Sequence, residues 1–362
     1  MKGVKFGNYH SYDTWGLLLT AKNIGSPIVK EKKIDIEGAD GDLDYTEVFG
    51  SVKYGNRILK FEFQKALKPS ELVSLASDIQ DAIHGLKMAV TLDDDPDWYY
   101  NGRVSVKDFN WKKGIGTIEI EVDAEPYKLK RKLSRQIAVL EGKNLFDCKT
   151  ADVLIRAGAT VTRIDTGIRV TAETAVNYTN AAIKVFPSKA VIGKTITFSW
   201  VAHRTNTERF IVVIGYAAAN AQTFHKVIET KTANALTMTV EESYANQYPY
   251  ITLWLYVNDN VPATVGAFVN FVDIQVELGD TPTAFTAYDS TEKTVALTTN
   301  NSRMVTVPTI HTSESAVVEK DGVSVTVDGS REVEDLLLEQ GNNNFTITGK
   351  GVVAIEYREG RL

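Results

Sequence analysis

The sequence predicts a mainly all-β protein built from sandwich-like units. Three features carry that expectation: short segments that alternate apolar and polar residues, turn residues recurring between them, and a single stretch with helical spacing. At 362 residues the chain exceeds one ordinary core, and a prior of roughly 150 residues per domain implies two or three. An apolar fraction of 43% and a charged fraction of 24% are those of a chain folded throughout.

Strands are expected first at Val4 to Gly7, Leu17 to Thr20 and Lys33 to Glu37, with turns at Gly38 to Gly41 and Tyr54 to Asn56 where glycine and asparagine tolerate positive φ. Arg57 to Phe63 then alternates. After Pro69, a favoured first-turn residue, Leu72, Leu75, Ile79, Ile83 and Leu86 recur every three or four positions, which predicts an amphipathic helix with Gly85 near its end. Strands resume at Met88 to Leu92, pause in the turn-rich Asp93 to Arg103, and return at Val104 and at Thr117 to Val122. In that last strand Ile118, Ile120 and Val122 share one face.

Composition shifts at Gly142 to Asn144. From there to Tyr288 acidic residues thin out, and strands are expected at Lys194 to Val201, Phe210 to Tyr216, Ala235 to Val240, Tyr250 to Val257 and Phe268 to Glu277, the pattern of a β-sandwich. Thr291 to Leu362 is again strands and turns. Gly114-Ile-Gly116 and Gly349-Lys-Gly351 each precede a strand, so both are read as hairpin turns and neither as a dinucleotide loop, which must open a helix.

Several function classes find little support. One cysteine, Cys148, rules out an intrachain disulfide framework and a thiol-based zinc site. No export signal is expected from Met1 to Asp13, and no run approaches the ~20 apolar residues of a membrane span. A formal charge of −6 argues against sequence recognition of nucleic acid, and the short basic cluster Lys128 to Arg135 reads as a solvated strand or linker. The motifs of serine hydrolases, zinc proteases and nucleotide-binding loops are absent, and the five histidines lack ligand spacing. No catalytic residue, metal ligand or cofactor is assigned.

Five stretches together resemble the siphophage distal tail protein family. They are GVKFGNYHSYDTWGLLL, DDDPDWYYNGR and GIGTIEIEVDAEPYKLK toward the N-terminus, then TNNSRMVTVPTI and GNNNFTITGKGVVAIEYREGRL at the end. The resemblance spans residues 1–141 and 289–362. It implies an N-terminal β-sandwich with one helix over 1–126 that builds a hexameric ring, and a galectin-like C-terminal β-sandwich made discontinuously from 127–143 and 289–362. Residues 144–288 are then an insertion, entered at Asn144 to Phe146, that resembles a jelly-roll-like carbohydrate-binding module. The strands flanking it, through Gln136 to Leu140 and Lys293 to Thr298, would close the gap if they pair.

The strongest binding signal is Tyr250 to Val257. Period two puts Ile251, Leu253, Leu255 and Val257 in the core, so Tyr250, Thr252, Trp254 and Tyr256 face the other way. An outward aromatic row suits the C–H face of a pyranose ring, with His203, Arg204 and Arg209 as polar contacts from a nearby turn. The alternative is that these aromatics pack against a neighbouring domain or a crossing loop. Ile196, Phe198 and Trp200 read as core. Asp93, Asp94, Asp95 and Asp97 read as a plain turn in preference to a calcium loop, and Asp273 with Glu277 is a weak calcium candidate.

The function implied is therefore that of a non-enzymatic tail-tip ring subunit of the virion, made in the host cytoplasm, with the insertion binding host cell-wall saccharide. Implied partners are further copies of the chain, the tail tube protein, the tape-measure or tail-associated tip protein, and a receptor-binding protein. The rival readings are a stand-alone bacterial carbohydrate-binding protein or a non-catalytic part of a glycan-degrading enzyme; a tail-associated glycan hydrolase is a third.

Overall fold

The structure, a computed structural model, describes residues 3–48, 50–140, 144–156, 158–204, 210–219, 223–289 and 291–362. It is mainly β, as the alternation predicts. Antiparallel sheets carry three apolar cores, the last of them drawn from chain on both sides of the middle one.

The first core lies under one continuous eight-stranded sheet. Its strands are β1 (Val4–Phe6), β2 (Tyr9–His10), β3 (Leu18–Ile24), β6 (Arg57–Ala66), β7 (Lys87–Leu92), β8 (Trp98–Lys112) and β9 (Ile115–Lys130), in the order β2-β1-β7-β8-β9-β6-β3, joined by a chain-terminal strand described below. A separate hairpin, β4 (Lys33–Asp35) with β5 (Asp42–Asp44), stands apart from it. Period two holds well: Leu59, Phe61 and Phe63 on β6 and Ile118, Ile120 and Val122 on β9 are all buried. The sheet is bent by register breaks in the β8–β9 pair, one at Tyr100/Gly102, and bulges of this kind increase local twist. A Cβ at Gly102 would stand 2.8 Å from the Ala124 backbone, so only glycine allows that approach.

Helix α1 (Pro69–Ile83) buries Leu72, Ala76, Ile79 and Ile83 against this core. Pro69 opens it as expected, and Glu71 reaches back to accept the Lys68 backbone N–H at 2.7 Å. It ends earlier than the apolar spacing suggests. Gly85 turns the chain at φ 76°, and Leu86 lies beyond the helix, exposed. The Asp93–Arg103 pause is also shorter, since β8 resumes at Trp98 and takes in Asn101 and Gly102.

The middle core is closed by two five-stranded sheets. β10 (Ser134–Val139) leads toward it; then come β11 (Val153–Arg156), β12 (Ala159–Ile164), β13 (Gly167–Ala172), β14 (Asn180–Pro187), β15 (Thr195–Arg204), β16 (Ile211–Ala217), β17 (Phe224–Thr230), β18 (Ala235–Thr239), the short helix α2 (Glu242–Gln247), β19 (Tyr250–Tyr256) and β20 (Phe268–Leu278). One sheet is ordered β11-β14-β19-β16-β17 and the other β12-β13-β20-β15-β18. Ile196, Phe198 and Trp200 meet Ile251, Leu253, Leu255 and Val257 between them, as read from the sequence.

The last core lies between the sheet β10-β27-β22-β25 and the sheet β21-β26-β23-β24. These strands are β21 (Lys293–Asn301), β22 (Thr309–Thr312), β23 (Ala316–Lys320), β24 (Val323–Val327), β25 (Ser330–Glu332), β26 (Gly341–Gly349) and β27 (Val352–Tyr357). Two expectations are corrected here. Gly349-Lys-Gly351 is no hairpin, because β26 and β27 belong to opposing sheets; the glycines carry the chain across the core. The strands flanking the middle segment do not pair either, since β10 bonds to β27 while β21 bonds to β26. The chain closes with β28 (Gly360–Arg361) paired to β9 at Leu129 and Lys128, which ties this sandwich to the first sheet. No helix among the described residues is long and apolar enough to cross a membrane.

Candidate functional site

The outer face of the β11-β14-β19-β16-β17 sheet is where the predicted aromatics stand. Antiparallel register sets them in rows: Asn180, Tyr256 and Ile211 in one, Ala182, Trp254 and Val213 in the next, and Pro187, Tyr250, Ala217 and Phe224 in another. Their direction, away from the main core, agrees with period two.

Their accessibility does not. Trp254 is 1% exposed, packed with Ala182, Ile211, Val213 and Ala217 in a second small apolar cluster, with Leu154 and Tyr256 against it. Small side chains on the flanking strands leave room for the indole, and Phe224 lies over it with ring centroids 4.9 Å apart. Trp254 is therefore floor, not platform. Thr252 is likewise buried, its hydroxyl donating to the Gly215 carbonyl at 3.3 Å. Tyr250 is half-buried beside Lys184, whose ammonium lies 5.1 Å from its ring centroid and pairs with Asp152.

Of the predicted aromatics, Tyr256 lines an open groove. That groove, about 450 Å³, runs over the sheet between Tyr178, Ile211, Val213, Phe224, Lys226, Glu229, Lys231, Tyr256 and Asp259. Ile211 and Val213 make an aliphatic floor. Tyr178 meets Tyr256 edge to face at 6.3 Å, and Phe224 bounds the other side. The strand β17 reaches this face through a bulge: its register with β16 shifts between Ile214 and Gly215, and a Cβ at Gly215 would fall 2.1 Å from the His225 carbonyl oxygen.

The charges in the groove are matched. Lys226 pairs with Glu229 at 2.9 Å and Lys231 with Asp259 at 2.6 Å. The hydrogen bond to Asp259 raises the Lys231 pKa, and burial raises that of the Tyr256 hydroxyl, so the phenol stays a neutral donor at ordinary pH. An apolar floor, aromatic walls and paired charges suit an uncharged amphipathic ring such as a pyranose, whose C–H face stacks while its hydroxyls meet polar tips.

The predicted polar contacts lie elsewhere. His203 and Arg204 stand at the end of β15 in the opposite sheet, with Arg204 over the Phe210 ring at 5.7 Å; Arg209 lies outside the described residues. No group of three or more metal-ligating side chains occurs among the described residues. Asp93 accepts the Gly3 N–H and the His10 ring, Asp94 pairs with Lys22, and Asp95 with Lys128, which makes the acidic run a set of local ties. Glu277 is buried on Gln275 and Thr283, and Asp273 accepts from Thr166. The basic cluster is engaged too: Lys130 with Glu359, Arg135 with Glu356.

Phe224, Lys226, Glu229, Lys231, Tyr178 and Asp259 were not legible as a site. Tyr178 and Asp259 sit in loops, and the β17 bulge breaks the alternation that would have marked its outward face.

No family model matches the chain, and no curated protein does. Among solved structures it is similar to the Dit (gp 19.1) protein of phage SPP1, described as a paradigm of the hub adsorption apparatus of phages infecting Gram-positive bacteria. That match has 12% identity and a TM-score of 0.32, covering 76% of this chain and 99% of that one. It is also similar to a carbohydrate-binding module of the β-sandwich superfamily, described as promiscuous in specificity, at 10% identity and a TM-score of 0.20, covering 76% of this chain and 91% of that one.

Proposed function

We propose that the middle sandwich is a saccharide-binding module carried by a non-enzymatic scaffold, and that the scaffold is a ring-forming subunit of a phage tail tip. The observation that carries the first half is the groove over the β11-β14-β19-β16-β17 sheet, where Tyr256 and Phe224 flank an aliphatic floor and every lysine has an acidic partner. Such a surface offers stacking area without a net charge to repel or demand an ionic ligand. The ligand is a neutral host cell-wall saccharide.

Support for the second half is the order and spacing of the five stretches shared with the distal tail protein family. The β4–β5 hairpin adds to it. Ile34, Ile36 and Leu43 on it, with Ile28 before it and Val48 after it, are all exposed, and a lone hairpin cannot bury them, which favours contact with further copies of the chain. Repeated head-to-tail contact closes into a ring, and the family resemblance sets six copies. Under this reading the tail tube protein, the tape-measure or tail-associated tip protein and a receptor-binding protein are its neighbours in the virion.

Two experiments test the halves separately. An array of neutral cell-wall polysaccharides should retain the intact chain, and failure on every polymer would remove the saccharide half. Negatively stained purified protein should show rings with a central channel; a uniform field of single particles at micromolar concentration would count against the ring.

A further inference from the structure

Tyr178 has a backbone φ of 58°, in the left-handed region that a bulky side chain rarely enters. It is 42% exposed, so packing does not force it there. The strain is held by its surroundings. Asn258, fully buried, accepts the Thr179 N–H at 2.8 Å and donates to the carbonyls of Val176 at 2.8 Å and Val261 at 2.6 Å. Asn180 donates to the Tyr178 carbonyl at 2.6 Å, and the Val257 N–H closes the segment on the Thr179 carbonyl at 2.9 Å. One side chain thus clamps the residues before and after Tyr178 to the loop that follows β19. The outcome is a tyrosine ring standing edge-on to Tyr256 at the wall of the groove, with its hydroxyl in electrostatic reach of Lys231.

Backbone strain in an exposed residue persists only where surrounding contacts over-determine it, and such residues concentrate at ligand sites. We infer that Tyr178 is a ligand-contacting residue that sets the width of the groove for a pyranose ring, and that Asn258, touching no ligand, is the residue that positions it. This rests on the reading of the groove as a saccharide site. Glycine would serve the backbone better at 178, and at 258 the acceptor and both donors come from one side-chain amide, which glutamine could supply only on a stem one methylene longer.

The test uses the intact chain with cellohexaose and chitohexaose as soluble probes, titrated by calorimetry, alongside melting and deuterium exchange. Tyr178→Gly relieves the strain and removes the ring, so Tm should rise by a few degrees while affinity falls by about tenfold or more. Tyr178→Phe keeps the ring and should bind within about threefold of the original, as the stacking area is unchanged. Asn258→Asp keeps the acceptor and loses both donors; exchange across 176–180 should accelerate and affinity should fall, with the rest of the exchange pattern intact. If the unaltered chain binds and Tyr178→Gly binds equally well, the inference fails and the saccharide reading stands. A lower Tm for Tyr178→Gly would also overturn it, since the ring would then be structural. If the unaltered chain binds neither hexasaccharide, the same titrations are run with the polymer that the array retains, and failure on every polymer removes the saccharide reading and this inference together.

Discussion

Phe224 lies against Trp254 with ring centroids 4.9 Å apart and planes inclined by 43°, so an exposed ring seals a buried one on the outer face of the sheet. The aromatic row of β19 is thereby divided. Trp254 holds the sheet face together, and Tyr256 lines the groove beside it.

Trp254→Ala should destabilise the middle sandwich by about 3–5 kcal/mol, the cost of truncating a buried aromatic and leaving a cavity. Calorimetric melting of the intact chain checks this. A shift within error would mean that Trp254 is accessible after all, as the sequence alone had suggested.

That reversal shows what alternation can and cannot say. Period two placed Ile251, Leu253 and Leu255 in the core and turned Trp254 away from it, and both are correct because direction is a local property of the strand. What lies above that second face is long-range: Phe224 arrives through a bulged edge strand thirty residues earlier in sequence, and nothing in FHKVIET announces the pairing. The helix was legible from Pro69 and its apolar spacing, but Leu86 mimicked one more turn because spacing is blind to the stop at Gly85. The flanks of the middle segment read as strands, yet their partners, β27 and β26, are set by sheet topology that no local pattern encodes.

The junction between the middle and last cores should respond to acid through Glu356. Burial pushes its carboxyl up, but the His311 ring, 3.6 Å away, and the charge of Arg135 outweigh this and hold it below its ordinary value. A depressed carboxylate contributes stability that is fully present above the unfolded pKa of ~4.3 and is lost as pH falls through the folded value. Glu356→Gln should therefore cost stability at pH 7, up to about 3–5 kcal/mol for breaking a largely buried pair. The gap from the original should close as pH drops below ~4.3. Melting curves of both proteins from neutral to acid pH measure it; a pH-independent gap would contradict the ion-pair account.

Excising residues 144–288 should leave a folded but adhesive remnant. Val352, fully buried, belongs to the middle core, and Ile137 and Val139 pack on the same cluster from the facing strand. Removing the middle sandwich uncovers this strip, at about 1.5–3 kcal/mol for a fully buried side chain. The excised protein should self-associate irregularly in light scattering, and Val139→Thr with Val352→Thr should restore solubility. Full solubility without those changes would show that the strip is not an interface.

The most direct measurement is a calorimetric titration of the intact chain and its Tyr256→Ala variant with the neutral saccharide that the array selects. Tyr256 is only half-buried, so the variant should lose about 1 kcal/mol of stability and remain folded, while affinity drops by about tenfold or more as the stacking wall is removed. Binding that survives in Tyr256→Ala unchanged, with both proteins folded, would place the saccharide somewhere other than this groove and contradict the account.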